Sequence, residues 1–224
     1  MIIKRKNLFM CAIRAFALRL FNYVENNDNC DFASNGEAFF LKHFFANVTS
    51  HKDERVFFDV GGNIGDYSEI LLDFAQKSHL KPILHIFEPT AKCFNSLKKR
   101  FKNFSNVFIN QQGLSNESGH FPIYYDQEQS ALASLYKRNL KHYDLEMTKS
   151  EDIETILGRD YINAHQIKHI DFMKIDIEGH ELKAFEGFGE YLNSDFIDYI
   201  QFEYGGANLD SHTSLMDFYV FLEA

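Results

Sequence analysis

The densest run of chemistry-bearing residues is Lys174-Ile175-Asp176-Ile177-Glu178-Gly179-His180-Glu181. Read as the end of a strand, it puts Lys174, Asp176 and Glu178 on one face and Ile175 and Ile177 on the other, because side chains alternate. Three ionisable groups alternating in a buried strand are costly unless they serve one another or a ligand. A carboxylate or imidazole here can take a proton from a nucleophile, so Glu178 and His180 are the candidate bases. Asp176 is the candidate for orienting a ligand, with Lys174 as the cationic partner of the acids. Gly179 lets the chain turn into a helix that starts close to that ligand. Glu203, just before Gly205-Gly206, is a further acid at a strand end. The i, i+2, i+4 spacing of Asp176, Glu178 and His180 is weak support for a metal site, and no metal is assigned.

A second constellation is Asp59-Val60-Gly61-Gly62-Asn63-Ile64-Gly65. Its glycines permit positive φ and close approach of main chain to a ligand. In a doubly wound sheet, that turn faces the ligand beyond the carboxyl ends of the strands. Asp59 is placed to orient the loop or meet a cationic group. A dinucleotide fingerprint wants Gly-x-Gly-x-x-Gly, but Gly61, Asn63 and Asp66 stand at those positions. Asp66 at the helix start also opposes a pyrophosphate. The turn therefore favours a nucleoside ligand without phosphates, with a nicotinamide-dependent enzyme as the rival. Glu88 ends the next strand at a spacing where an acid can accept both ribose hydroxyls.

The elements that must position these groups alternate regularly. Val56 to Val60, Ile83 to Phe87, Asn106 to Asn110, Asp171 to Ile177 and Phe196 to Tyr204 read as strands. Helices are expected over Asp66 to Gln76, Ala91 to Phe101, Glu181 to Tyr191 and Thr213 to Leu222, with a short one at Asp152 to Leu157. Gly119 to Tyr125 alternates like an edge strand, and Gln127 to Lys137 reads as a mobile loop. With Tyr124 and Tyr125, that loop is a candidate acceptor lid. The pattern predicts an α/β fold, a mostly parallel doubly wound sheet covered on both faces.

The segments VFFDVGGNIGDYS, HIFEP, DFMKIDIEGHE and IQFEYG, in that order, resemble the FkbM-type family of S-adenosylmethionine-dependent methyltransferases. The resemblance runs from about Asn35 to the C-terminus. It implies a Rossmann-like class I methyltransferase fold, S-adenosylmethionine as donor, and O-methylation of a hydroxyl on a sugar or surface-polysaccharide precursor. Carried over by position, Asp59, Gly61, Asn63 and Gly65 line the methionine and sulfonium end of the cofactor. Glu88 holds the ribose, and Gln112-Gly113-Leu114-Ser115 approaches the adenine. Such proteins continue with two more strands after the last helix, whereas this sequence stops at Ala224. The expected sheet lacks those two strands, and a catalytically impaired fragment or cofactor-binding remnant is the alternative reading. The exposed edge would favour aggregation and weak cofactor binding.

A net charge of −9 over 224 residues argues against nucleic-acid binding through a general basic face. Cys11, Cys30 and Cys93 show no paired spacing, which fits reduced thiols in the cytoplasm. Residues 1–34 differ from the 35–224 domain. Lys4, Arg5, Lys6, Arg14 and Arg19 precede the first acid, Glu25, and apolar residues recur at helical spacing. This basic amphipathic helix either packs on the domain or makes a peripheral membrane contact.

Overall fold

The computed structural model describes residues 7–27, 29, 31–48, 54–141 and 144–223. Lys4, Arg5, Lys6 and Cys30 lie outside these. The chain falls into two compact units, Met1–Val48 and Thr49–Ala224.

The first unit holds α1 (Leu8–Glu25) and α2 (Glu37–Asn47). Asn7 caps α1 by accepting from the Phe9 N–H at 3.1 Å, and Asn26 ends it in the left-handed conformation. Between the helices, Asp31 and Asn35 accept local main-chain N–H bonds, so the polar segment is a series of side-chain-stabilised turns.

Among the described residues the second unit has eight strands in two sheets: β1 (Glu54–Val60), β2 (Lys81–Phe87), β3 (Val107–Asn110), β7 (Phe172–Ile175) and β8 (Ile200–Phe202) form the central one, and β4 (Gly113–Leu114), β5 (Gly119–Tyr125) and β6 (Lys149–Ile156) a separate one. The central order is β3-β2-β1-β7-β8, with every neighbouring pair parallel. Its helices are α3 (Asp66–Lys77), α4 (Ala91–Arg100), α5 (Gly158–His165), α6 (Glu181–Phe188), α7 (Gly206–Asp210) and α8 (Leu215–Leu222).

Alternation along β1 explains both layers. Phe58 and Val60 join Phe87, Met173 and Ile175 against Tyr161 of α5, Phe185 and Phe188 of α6 and Phe218 of α8. Asp59 points to the other face, where Ser68 of α3 donates to it at 2.5 Å. The phenylalanine excess fills the interior: Phe58, Phe87, Phe185, Phe188 and Phe218 of this cluster, and Phe57 and Phe172 outside it, are all fully buried. Each contributes about 1.5–3 kcal/mol relative to exposure. The parallel α/β sheet expected from the sequence is thus present.

Two expectations are corrected. Asp152 to Leu157 is not a helix; all of it but Leu157 belongs to β6, which pairs antiparallel with β5 and parallel with β4. Its acids suggest a helix start, but Ile153 and Thr155 are buried while Asp152 and Glu154 are exposed, a period of two. The strand expected through Ile177 stops at Ile175. The Asp176 N–H still reaches the Val60 carbonyl at 2.9 Å, but Glu178 and Gly179 then take φ of +52° and +99°. Glu178 is therefore aimed by a left-handed turn and not by strand alternation.

Candidate active site

The carboxyl ends of β1, β2 and β7 meet at a cleft. Gly61, Asn63 and Glu88 line one part of it, Asp176, Glu178 and His180 another. The three-stranded sheet supplies the opposite wall through Leu114, Ile123, Ile153 and Thr155, and the segment after β5 adds Ser130, Ala133 and Leu135. That segment is tied down where looseness was expected: Ser134 is buried, pairs through main-chain bonds with Tyr124, and donates its hydroxyl to the Glu178 carbonyl at 2.7 Å.

The glycine turn owes its shape to crowding. A Cβ on Gly61, whose φ is +89°, would lie 1.9 Å from the Asp176 carbonyl oxygen. The missing side chain thus lets the turn and the acidic segment touch. Asn63 has φ +45°, which asparagine tolerates better than most residues. Its N–H donates to Glu88 Oε2 at 3.0 Å. Gly65 is not among the cleft residues; it precedes α3, and a Cβ there would meet Phe101 and Leu97. Asp59 is also buried behind the turn.

Glu88 is buried and holds two turns together. Its Oε1 accepts the Thr90 N–H at 2.9 Å and the Thr90 hydroxyl at 2.5 Å, while Oε2 takes Asn63. Burial pushes its carboxyl above the usual range against the pull of these donors. Three of its roughly four acceptor positions are engaged, leaving about one for a ligand.

The acidic segment gathers more acids than cations. Asp176, Glu178 and Glu203 each bring a carboxylate oxygen within 4.8 Å of the others. Lys174 lies 2.8 Å from Asp176 and 4.9 Å from the centre of the Tyr67 ring. Burial opposes the charge on Asp176, but Lys174 and a hydrogen bond from Glu203 hold its carboxyl below the usual range. Burial, then the Asp176 charge, pushes Glu203 up to about 8. Glu178 is ion-paired with the buried Arg138, which also reaches Asp210 at 3.3 Å. Burial still pushes Glu178 up to about 7. A carboxyl poised there exchanges a proton near neutrality, as a general base must.

His180 sits at the N-cap of α6, with Tyr136 Oη 3.0 Å from Nδ1 and Ser115 Oγ 3.0 Å from Nε2. Burial, with Lys183 nearby, pushes it down to about 4, so the ring is neutral. Both nitrogens are engaged. Its arrangement suits a positioning role, joining β4 and the segment after β5 to the acidic turn.

The sequence-predicted residues thus divide. Gly61, Asn63, Glu88, Asp176, Glu178 and His180 share the cleft; Asp59 and Gly65 stand behind it, and Gly113 and Leu114 line it without Gln112. Arg138, Tyr136 and Thr90 were missed. Thr90 follows Glu88-Pro89 closely enough for a side-chain turn to have been suspected. Arg138 lies forty residues from Glu178 and gives no local signal.

The family model for the methyltransferase FkbM domain matches residues 59–221, spanning the glycine turn, Glu88 and the acidic segment. The chain belongs to that family. Hexuronic acid methyltransferase AglP of Haloferax volcanii is 28% identical over 144 residues, covering 64% of this chain and 54% of that protein. The chain therefore matches about half the length of this curated relative. The crystal structure of methyltransferase FkbM from Methylobacillus flagellatus KT is 20% identical with a TM-score of 0.40, over 62% of this chain and 30% of that one.

Proposed function

We propose that the chain transfers a methyl group from S-adenosylmethionine to a hydroxyl of a carbohydrate acceptor, with uronic-acid sugars the first class to test. The observation that supports this is one cleft lined by the glycine turn with Glu88 and by Asp176, Glu178 and His180. The relative named as a hexuronic acid methyltransferase motivates the acceptor class.

The residues suit such a donor. Glu88 Oε2 accepts the Asn63 N–H and has room for a hydroxyl, so it takes one ribose hydroxyl where the sequence suggested two. Leu114, Ile123, Ile153 and Leu135 offer an apolar wall for a flat base. Asp176, kept charged by Lys174, complements a cation. The donor supplies a methyl carbon activated by positive sulfur. Glu178 removes the proton from the acceptor hydroxyl, and Arg138 holds its carboxylate in place. His180, neutral and bonded at both nitrogens, keeps the segment after β5 closed over the cleft.

Labelled-methyl transfer to glucuronide acceptors, paired with calorimetry of S-adenosylmethionine, tests the reading. Glu88→Ala is expected to weaken cofactor binding about 10-fold or more, the loss of a charge-assisted hydrogen bond. Equal affinity in the variant would remove Glu88 from the site. Cofactor binding without transfer to any hydroxyl-bearing sugar would sink the acceptor assignment.

A further inference from the structure

Helix α1 is a surface that the cleft does not explain. It has eighteen residues and none of them is buried. Phe9, Phe16 and Val24 are each 68% exposed, Met10 60%, Leu20 51% and Ile13 45%. At 3.6 residues per turn these six fall within one arc of about 120°. Arg14 and Arg19 flank this arc on its two sides and Asn22 lies opposite it, although Leu8 and Leu18 also lie outside the arc. A contiguous apolar face of this size on a folded chain marks a contact site.

Charge and length select the occupant. Five basic residues and no acid precede Glu25, in a chain whose net charge is −9. An acid-free basic stretch thus leads into and runs along the helix that carries the apolar face, in an otherwise acidic chain. At 1.5 Å per residue α1 is about 27 Å long, short of the roughly 30 Å of a bilayer core. No helix among the described residues is long and apolar enough to cross a membrane. An apolar stripe flanked by arginines, too short and too charged to span, lies in the plane of a bilayer interface. We propose that α1 is an interfacial anchor, with Phe9, Ile13, Phe16 and Leu20 entering an anionic lipid surface and Arg14 and Arg19 meeting its headgroups.

The test is sedimentation of the full chain with phosphatidylcholine vesicles, with and without phosphatidylserine. Wild type is expected to bind the serine-containing vesicles and to be released by salt, as screening requires. Arg14→Gln with Arg19→Gln should weaken that binding about 30-fold, and Phe9→Asp with Phe16→Asp should abolish it. The substituted side chains are all exposed, and an unchanged thermal melt confirms that the fold survives. Light scattering without lipid supplies the independent measurement. A dimer that dissociates in the Phe9→Asp, Phe16→Asp variant, with no vesicle binding by wild type, overturns the proposal in favour of a second copy. Absence of both also overturns it, as does equal binding to vesicles lacking phosphatidylserine.

Discussion

The two ends of the central strands handle buried charge in opposite ways. At the amino end, Arg55 in β1 and Asp171 just before β7 pair at 2.6 Å, with side chains 11% and 4% exposed. The second Asp171 oxygen accepts the Val56 N–H at 2.8 Å. This is a joint between two strands, closed by opposite charge and a main-chain bond. At the carboxyl end, Asp176, Glu178 and Glu203 crowd together with Lys174 and Arg138. Glu178 there adopts a left-handed backbone that costs a non-glycine residue about 1–3 kcal/mol. Strain and displaced proton affinities coincide at that end, on the cleft. Buried charge alone therefore does not mark a site; acids that outnumber their cations on a cleft do.

The largest expected effects separate the two ends by readout. Glu178→Gln keeps the shape but removes the proposed base, and transfer should fall about 10²–10⁴-fold. Its melting temperature should be retained or raised, because a raised carboxyl favours the neutral form. Asp171→Ala leaves the Arg55 charge buried without that carboxylate and should cost about 3–5 kcal/mol in denaturant unfolding. Transfer per folded molecule should persist. If Glu178→Gln unfolds the chain, or Asp171→Ala silences molecules that are still folded, the two ends are alike and the contrast fails.

The sequence carried the cleft unevenly, for physical reasons. The central strands were legible because a parallel sheet buried on both faces writes short apolar runs between helices. Gly61, Asn63 and Glu88 were legible because a strand-to-helix turn concentrates unusual backbone needs in a few adjacent residues. The wall formed by β5 and β6 was half missed, since acidic residues on the exposed side of β6 masked its alternation. Arg138 was invisible, because its pairing with Glu178 is made only by the fold. The direction of Glu178 was misjudged for a related reason. Alternation predicts a side chain only while the strand continues, and here it ends three residues earlier.

A smaller effect concerns pH, and the sign can be fixed. Glu178 and Glu203 are raised from 4.5 to about 7 and about 8, so the folded state holds their protons more tightly than the unfolded chain. Their contribution to stability is present at low pH and lost as pH rises through those values. His85 and His180, lowered from 6.5 to about 4, act oppositely and lose stability as pH falls below 6.5. Above about pH 6 the carboxyls dominate, so the melting temperature should fall between about pH 6 and pH 8. Transfer should rise over the same range, with a midpoint near the Glu178 value of about 7. Glu203→Gln should flatten the stability slope; an unchanged slope would mean that Glu203 is not protonated beside Asp176.

The smallest effect is expected at a third set of charges, which sharpens the contrast because it lies close to the glycine turn. Arg100 at the end of α4 reaches Asp66 at 2.6 Å, Glu69 at 2.5 Å and the Ile64 carbonyl at 2.8 Å. Proximity alone would suggest that Arg100→Ala damages the site. Yet the Asp66 and Glu69 side chains are 69% and 63% exposed, so solvent screens the pairs and replaces them when Arg100 is lost. The turn itself is held from the cleft side by Glu88 and from behind by Leu97 and Phe101 packed at Gly65. Arg100→Ala should therefore cost no more than about 1 kcal/mol in unfolding. Cofactor affinity measured by calorimetry should stay within about twofold, since none of the Arg100 partners reaches the cleft. A tenfold loss of affinity would show that the exposed pairs preorganise the turn, and that burial is the wrong axis along which to compare the charges of this molecule.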